Sequence, residues 1–149
     1  MTPILKPQRL LPSPSPGTLL KRPFAVAQRM RLKEVSERDP VYLSLIRQLP
    51  CLHCGMEPAG EAAHLCMASG AHGKASGIGK TPADRWALPL CGEHHRLAQR
   101  AQYNIGERAF WSEIGIDPFL TAERLYAARG DVVAMRVVVM LSFVERAKM

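Results

Sequence analysis

The sequence predicts a mostly helical α+β protein, with a small metal-stapled core, flanking helices and a disordered N-terminal arm. Three observations lead to this fold class. Apolar residues recur at helical spacing in several segments between residues 39 and 147, whereas only two short stretches suggest extended chain. Residues 51–92 are rich in Gly, Pro, Cys and His. A region with so little regular structure needs a cross-link or a metal ion to hold it.

The N-terminal arm carries the net charge. The 149 residues have a formal net charge of +7, and every unbalanced base lies in residues 1–33, which contain no acid. Alternating prolines from Pro12 to Pro16 favour extended chain without helical hydrogen bonds. We therefore predict a basic, Pro-rich, flexible arm over residues 1–33 that attracts a polyanion. The total length suits one domain with tails and excludes a large multidomain enzyme.

No segment suggests a membrane span or a signal peptide. The longest apolar run, Val132 to Val144, is interrupted by Arg136 and Ser142 and falls short of the roughly 20 residues that cross a bilayer. Prolines break the apolar stretches of the N-terminus before a signal-peptide core can form. We therefore expect a cytoplasmic protein without membrane partners. In a reducing compartment its cysteines favour metal binding over disulfides.

The predicted helices follow from capping residues and spacing. The first has Asp39 as N-cap and Pro40 at its first position, and it ends before Pro50. Asp131 is the predicted N-cap of the last, although the valines at 137–139 also fit a strand. The later helices are predicted at about residues 93–102, 106–114, 118–128 and 132–147.

Two short strands are predicted between the first and second helices. They cover about Ala62–Met67 and Trp86–Leu90. The Gly-rich stretch over residues 68–83 separates them. Since long loops in compact domains are usually functional, this loop is predicted to border a site.

Two ligand pairs predict a structural zinc. They have C-x2-C and C-x2-H spacing and comprise Cys51, Cys54, Cys91 and His94. Four soft or borderline ligands can close a tetrahedron around zinc, and four protein ligands indicate a structural rather than a catalytic ion. His53, between the first two ligands, stays unassigned, and Cys66 is interpreted as a small core residue.

Two further histidines become neighbours if this zinc forms. His64 ends the first predicted strand, and His95 directly follows the ligand His94. A zinc that ties Cys54 to Cys91 would fold the strand back near the helix that carries His95. The sequence thus predicts a pair of histidines beside the metal centre.

A series of motifs follows in order along the chain: Cys51-x2-Cys54, Ala63-His64, the Gly/Lys loop, Lys80 to Asp84, Pro89 to His95 and Gly106 to Trp111. These motifs resemble the zinc-containing branch of the HNH, or His-Me finger, endonucleases, which are ββα-metal nucleases common in phages and prophages. The resemblance extends from about Arg38 to Leu125. It implies a zinc-stapled ββα-metal nuclease domain over residues 38–129, with a C-terminal helix over 130–149 packed on it.

The resemblance implies a metal-dependent DNA endonuclease that hydrolyses phosphodiester bonds. His64 matches the general base, a role suited to an imidazole near neutral pH. His95 matches the ligand of a single catalytic divalent ion, Mg²⁺, Mn²⁺ or another. Asp84 lies near the family's middle position, where it could orient His64 or bind the ion.

A local surplus of bases surrounds these residues. Residues 64–103 carry a net charge of +3, and such bases contact phosphates without specifying sequence. A solvated loop is the alternative interpretation. The candidate contacts to DNA, single-stranded or branched DNA included, are Lys74, Lys80, Arg85, Arg96 and Arg100.

Tyr103 keeps a second function open. Many members of the family carry another histidine near this position, and tyrosine is a poor ligand for a hard cation. The alternative is a zinc-stabilised nucleic-acid-binding module with weakened or lost cleavage. A small zinc protein acting as a protein-interaction adaptor is the third hypothesis, and DNA binding that is weak and insensitive to salt would support it.

Overall fold

The computed structural model describes residues 37–76, 79 and 81–148. The arm predicted for residues 1–33 lies outside them, and so does Lys80. In the described part, the α-helices are α1 (Pro40–Gln48), α2 (Gln102–Ile105), α3 (Glu107–Ile114), α4 (Pro118–Ala127) and α5 (Val132–Arg146). The strands are β1 (Glu61–His64) and β2 (Ala87–Leu90). A 3-10 turn (Asp84–Trp86) and a π-helical turn (Glu93–Leu97) flank β2.

The two strands form an antiparallel sheet at the centre of the core. Glu61 lies opposite Leu90, and His64 lies opposite Ala87. All four residues of β2 are buried. The hydroxyl of Tyr42, on α1, donates to the carbonyl of Ala87 at 3.3 Å and so ties the first helix to the strand opposite His64. The described chain is therefore α-rich with a two-stranded antiparallel sheet, as predicted.

β1 is shorter than the predicted strand. It ends at His64, whereas the sequence suggested extended chain to Met67. The backbone N–H groups of Cys66 and Met67 bond to the side chain of Glu107 instead of to a neighbouring strand. The N–H of Leu65 still donates to the carbonyl of Trp86 at 3.0 Å, so a side chain takes the place of the backbone partner only beyond Leu65.

The predicted helix over residues 93–102 is wrong as a single element. A π-helical turn ends at Leu97, and the chain is extended at Ala98 before α2 begins. The side-chain amide of Asn104 donates to the carbonyls of Arg96 and Ala98 at 3.3 and 2.7 Å. These carbonyls are therefore satisfied without a continued helix, which stabilises the break.

The last helix is helical throughout its valine-rich part, so the alternative strand is wrong. Asp131 caps it by accepting from the backbone N–H of Ala134 at 3.0 Å. One face buries Met135 and Val139, and the helix packs on α4. No helix among the described residues is both long and apolar enough to cross a membrane.

Candidate metal centre and histidine cleft

The four predicted zinc ligands come together. Their donor atoms all lie within 4.8 Å of one another. The sulfurs of Cys54 and Cys91 are 3.9 Å apart, and the Cys51 sulfur lies 4.0 Å from Nδ1 of His94. A tetrahedron with zinc–sulfur bonds of about 2.3 Å has sulfur–sulfur edges of about 3.8 Å. The cluster of three cysteines and one histidine therefore fits a metal ion such as zinc.

Tight local turns aim each ligand pair at the other. The N–H of Gly55 donates to the carbonyl of Cys51 at 2.8 Å, and Gly55 has a φ of 74°, which glycine adopts without steric cost. After β2, the N–H of His95 donates to the carbonyl of Cys91 at 2.8 Å, which turns His94 back over the cluster. α1 and β2 thus deliver the two pairs to one point.

Burial governs the chemistry of the first ligand. Cys51 and Cys91 are buried, whereas Cys54 is exposed. Burial raises the pKa of the Cys51 thiol to about 11. Since a metal binds the thiolate, binding must expel this proton, and the centre is expected to load more readily as pH rises.

His53 packs against the cluster, a role that the sequence did not reveal. Its ring stacks on His94 with the ring centroids 3.7 Å apart and the planes 14° from parallel. Phe110 stacks on it as well, at 5.7 Å. Burial, followed by the neighbouring His94, lowers the pKa of His53. The ring is therefore expected to be neutral and to fix the orientation of the ligand imidazole.

The other two candidate histidines border a common cleft beside the cluster. His64 ends β1, and His95 lies in the π-helical turn, a local distortion that is frequent at functional sites. The two histidines lie far apart along the chain, and the antiparallel pairing of β1 with β2 brings them together. The cleft has a volume of about 240 Å³ and is lined by His64, Cys66, His95, Gln102, Tyr103, Gly106 and Glu107.

His64 is held by Asp84. Its Nε2 lies 2.9 Å from Oδ1 of Asp84, a carboxylate that is only 2% exposed. Arg38 and the backbone N–H of Asp39 donate to the same carboxylate at 3.1 and 2.8 Å. Burial alone would raise the pKa of Asp84, but these hydrogen bonds, that of His64 first among them, lower it. The carboxylate is therefore ionised. It bonds Nε2 of His64, and among the described hydrogen bonds Nδ1 of His64 has no partner.

His95 is held by Glu61. Its Nδ1 lies 2.6 Å from Oε2 of Glu61. Arg96 donates to both oxygens of this carboxylate, and that guanidinium, with His95, lowers the pKa of Glu61 to about 2. Sequence reasoning missed Glu61, because its role depends on the strand register that places it opposite Leu90, just before the π-helical turn.

Glu107 is a second carboxylate that sequence reasoning did not assign. It begins α3 and lines the cleft. Its oxygens accept from the backbone N–H of Cys66 at 2.7 and 2.9 Å and from that of Met67 at 2.9 Å. Burial, followed by the charge of Glu107, raises the pKa of the Cys66 thiol. Cys66 is therefore a neutral thiol in the wall of the cleft and not part of the metal centre.

Lys74 was predicted to contact phosphate at the surface, but the structure buries it. It is only 7% exposed. Its Nζ donates to the carbonyls of Met67 and Ala75 at 2.9 and 3.1 Å. The turn closed by the backbone pairing of Ser69 with Lys74 directs the ammonium into the loop. Its charge therefore stabilises the loop that follows β1.

The described arginines of the predicted set lie at the surface or on aromatic rings. Arg96 pairs with Glu61, and Arg100 pairs with Glu113. The guanidinium of Arg85 lies 5.4 Å from the ring centroid of Trp86 and 5.2 Å from that of Tyr126.

No protein-family model, curated protein or solved structure matches the chain. The functional conclusion therefore depends on the geometry of the chain's own residues.

Proposed function

We propose that this protein is a metal-dependent DNA endonuclease of the HNH, or His-Me finger, type. The observation that carries the proposal is that His64 and His95 line one cleft, each held by a carboxylate, beside the cluster of three cysteines and one histidine. The order of a strand ending in His64, an antiparallel partner and a helical turn with His95 also fits a ββα-metal core.

His64 is the proposed general base. The carboxylate of Asp84 accepts a hydrogen bond from Nε2–H, so Nδ1 retains its lone pair and can take a proton from a water molecule. The water oxygen attacks phosphorus, the bond from phosphorus to the leaving oxygen breaks, and the leaving oxygen takes a proton from solvent. Because Asp84 already bonds His64, Arg38 and the N–H of Asp39, the orienting role is favoured over ion binding.

His95 is the proposed ligand of a catalytic divalent ion, Mg²⁺ or Mn²⁺. Such an ion, when bound, supplies Lewis-acid stabilisation of the charge that develops on the scissile phosphate. The Cys51, Cys54, Cys91 and His94 cluster would hold a separate structural zinc. In this proposal Arg85, Arg96 and Arg100 contact the DNA backbone.

A plasmid-nicking assay tests the proposal. Zinc-loaded protein is incubated with supercoiled DNA and Mg²⁺ or Mn²⁺, beside His64→Ala and His72→Ala. His72 is the matched control, because it pairs with Glu123 outside the cleft. Wild type and His72→Ala should nick, whereas His64→Ala should be at least about 100-fold slower, as expected when a general base is removed. Equal nicking by His64→Ala would overturn the assignment of the base.

A second candidate function is a zinc-stabilised module that binds nucleic acid without cutting it. Tyr103 favours it, because this side chain lies in the cleft, is 80% exposed and offers no imidazole to a metal. Wild-type protein that binds DNA in a salt-dependent way but never nicks it, while Tyr103→His does nick, would select this function. Tyr103→Phe is the control, since it changes the side chain without adding a ligand.

A further inference from the structure

Glu61 contacts His95, and no sequence pattern predicted this role. Its carboxylate occupies the space between the start of β1 and the π-helical turn, where it meets Nδ1 of His95 and the guanidinium of Arg96. The backbone of Gly92 lies beside it, since a Cβ at that position would be in van der Waals contact with Oε1 of Glu61 at 3.4 Å.

The contact decides which nitrogen of His95 carries the proton. An ionised carboxylate accepts hydrogen bonds and donates none, so the 2.6 Å contact requires a proton on Nδ1. Arg96 donates to both oxygens of Glu61, which is the bidentate geometry of a guanidinium with an ionised carboxylate. In a neutral imidazole the other nitrogen, Nε2, is then an acceptor.

We propose that Glu61 is a positioning residue that holds His95 as the Nδ1–H tautomer and presents the lone pair of Nε2 to the cleft. The part of the proposal that concerns metal binding by Nε2 depends on the proposed nuclease function. Histidines that bind metals commonly donate their second N–H to a carboxylate, which fixes the ring and raises its basicity. Glu61 is suited to this role, and it is not among the described residues that line the cleft.

Asp84 supplies an internal contrast. It binds Nε2 of His64, whereas Glu61 binds Nδ1 of His95. The two carboxylates are therefore expected to select opposite tautomers of two histidines that border the same cleft. One histidine would present Nδ1 to a water molecule, and the other would present Nε2 to a cation.

Nitrogen-15 NMR of the zinc-loaded full chain tests the tautomers directly. Two-bond proton–nitrogen correlations at a pH where the imidazoles are neutral should place the proton of His95 on Nδ1 and that of His64 on Nε2. A wild-type spectrum with the His95 proton on Nε2 overturns the proposal. This test needs no variant, so it remains decisive even if substitutions at Glu61 fail to fold.

Variants extend the test to positioning. Glu61→Ala should shift His95 toward the Nε2–H tautomer, whereas Glu93→Gln, which changes an exposed acid in the same π-helical turn, should not. If Glu61→Ala leaves the tautomer unchanged, Glu61 does not set it and the proposal is wrong.

Manganese titration separates this proposal from the nuclease function. Glu61→Ala should weaken Mn²⁺ binding about 10- to 100-fold, with zinc content unchanged, and Glu93→Gln should match wild type. Equal Mn²⁺ affinity in wild type and Glu61→Ala would overturn the positioning of a metal ligand. If wild type binds no Mn²⁺ while the tautomer responds to Glu61, the nuclease function fails and the tautomer assignment stands.

Discussion

The carboxylate of Glu107 accepts a hydrogen bond of 2.7 Å from the backbone N–H of Cys66. This contact ties the first turn of α3 to the chain two residues beyond His64. Gly106, with a φ of 88°, makes the sharp entry into α3 that brings Glu107 there. The end of β1 is therefore held by a side chain from a distant part of the sequence, and this bond has a measurable consequence.

Glu107→Ala should destabilise the fold by about 2–3 kcal/mol. The change removes charge-assisted hydrogen bonds and leaves the backbone N–H groups of Cys66 and Met67 without their acceptor. Urea unfolding of the zinc-loaded protein measures the loss. Arg108→Ala, an exposed change in the next residue, should cost less than about 0.5 kcal/mol. Equal stability of the two variants would contradict the role of Glu107.

Zinc removal should unfold the domain around the metal centre. The cluster joins the end of α1 to the end of β2, and folding energy comes directly from a structural zinc. Wild type should bind about one equivalent of zinc, and Cys54→Ser should bind less. Both Cys54→Ser and wild type treated with a chelator should lose helical circular dichroism. Cys66→Ser is the matched control, because this fourth cysteine lies outside the cluster. Zinc loss in Cys66→Ser with zinc retained in Cys54→Ser would refute the ligand set.

Tyr42 should make the fold sensitive to alkaline pH. Burial raises the pKa of Tyr42 above its ordinary value of about 10. The pKa of Tyr42 is higher in the folded chain than in the unfolded chain. The stability that the neutral hydroxyl contributes is therefore complete below pH 10 and is lost as pH rises above 10. At pH 7, Tyr42→Phe should cost about 1 kcal/mol through the lost hydrogen bond to Ala87.

The difference in the free energy of unfolding between wild type and Tyr42→Phe should then disappear near pH 11. One pH unit above the unfolded pKa, the wild type has lost about 1.4 kcal/mol that the phenylalanine variant does not lose. Urea unfolding of both proteins at pH 7, 9 and 11 measures this difference, and groups common to both cancel. A gap that stays constant to pH 11 would show that the hydroxyl is not protected from ionisation.

The N-terminal arm should contribute to DNA binding through charge alone. Deletion of residues 1–23 removes four bases, Lys6, Arg9, Lys21 and Arg22. If all of them contact phosphates, the slope of log binding constant against log salt should fall by about 3 to 4, with cleavage at saturating DNA unchanged. Deletion of residues 10–20, which contain no charge, is the control for length. Loss of cleavage at saturating DNA would instead make the arm part of the site.

The sequence by itself determined the N-caps of the first and last helices and the two pairs of candidate metal ligands, because both follow from local spacing, whereas the single helix predicted over residues 93–102 was wrong. Asp39 and Asp131 are N-caps that bond to residues three positions further on. Each ligand pair likewise lies within one turn. These features need no knowledge of distant contacts, and the structure has them where the sequence predicts them.

Only the tertiary structure decided how the two histidines are held. Glu61 lies 34 residues from His95, and Asp84 lies 20 from His64, so their pairing depends on the register of β1 against β2. Glu107 likewise lies 41 residues from Cys66, from whose N–H it accepts a hydrogen bond. The burial of Lys74 was missed for a different reason: its ammonium donates to carbonyls of its own loop, and no periodic pattern reveals that turn. Contacts between distant residues require the folded chain, whereas caps and ligand spacings do not.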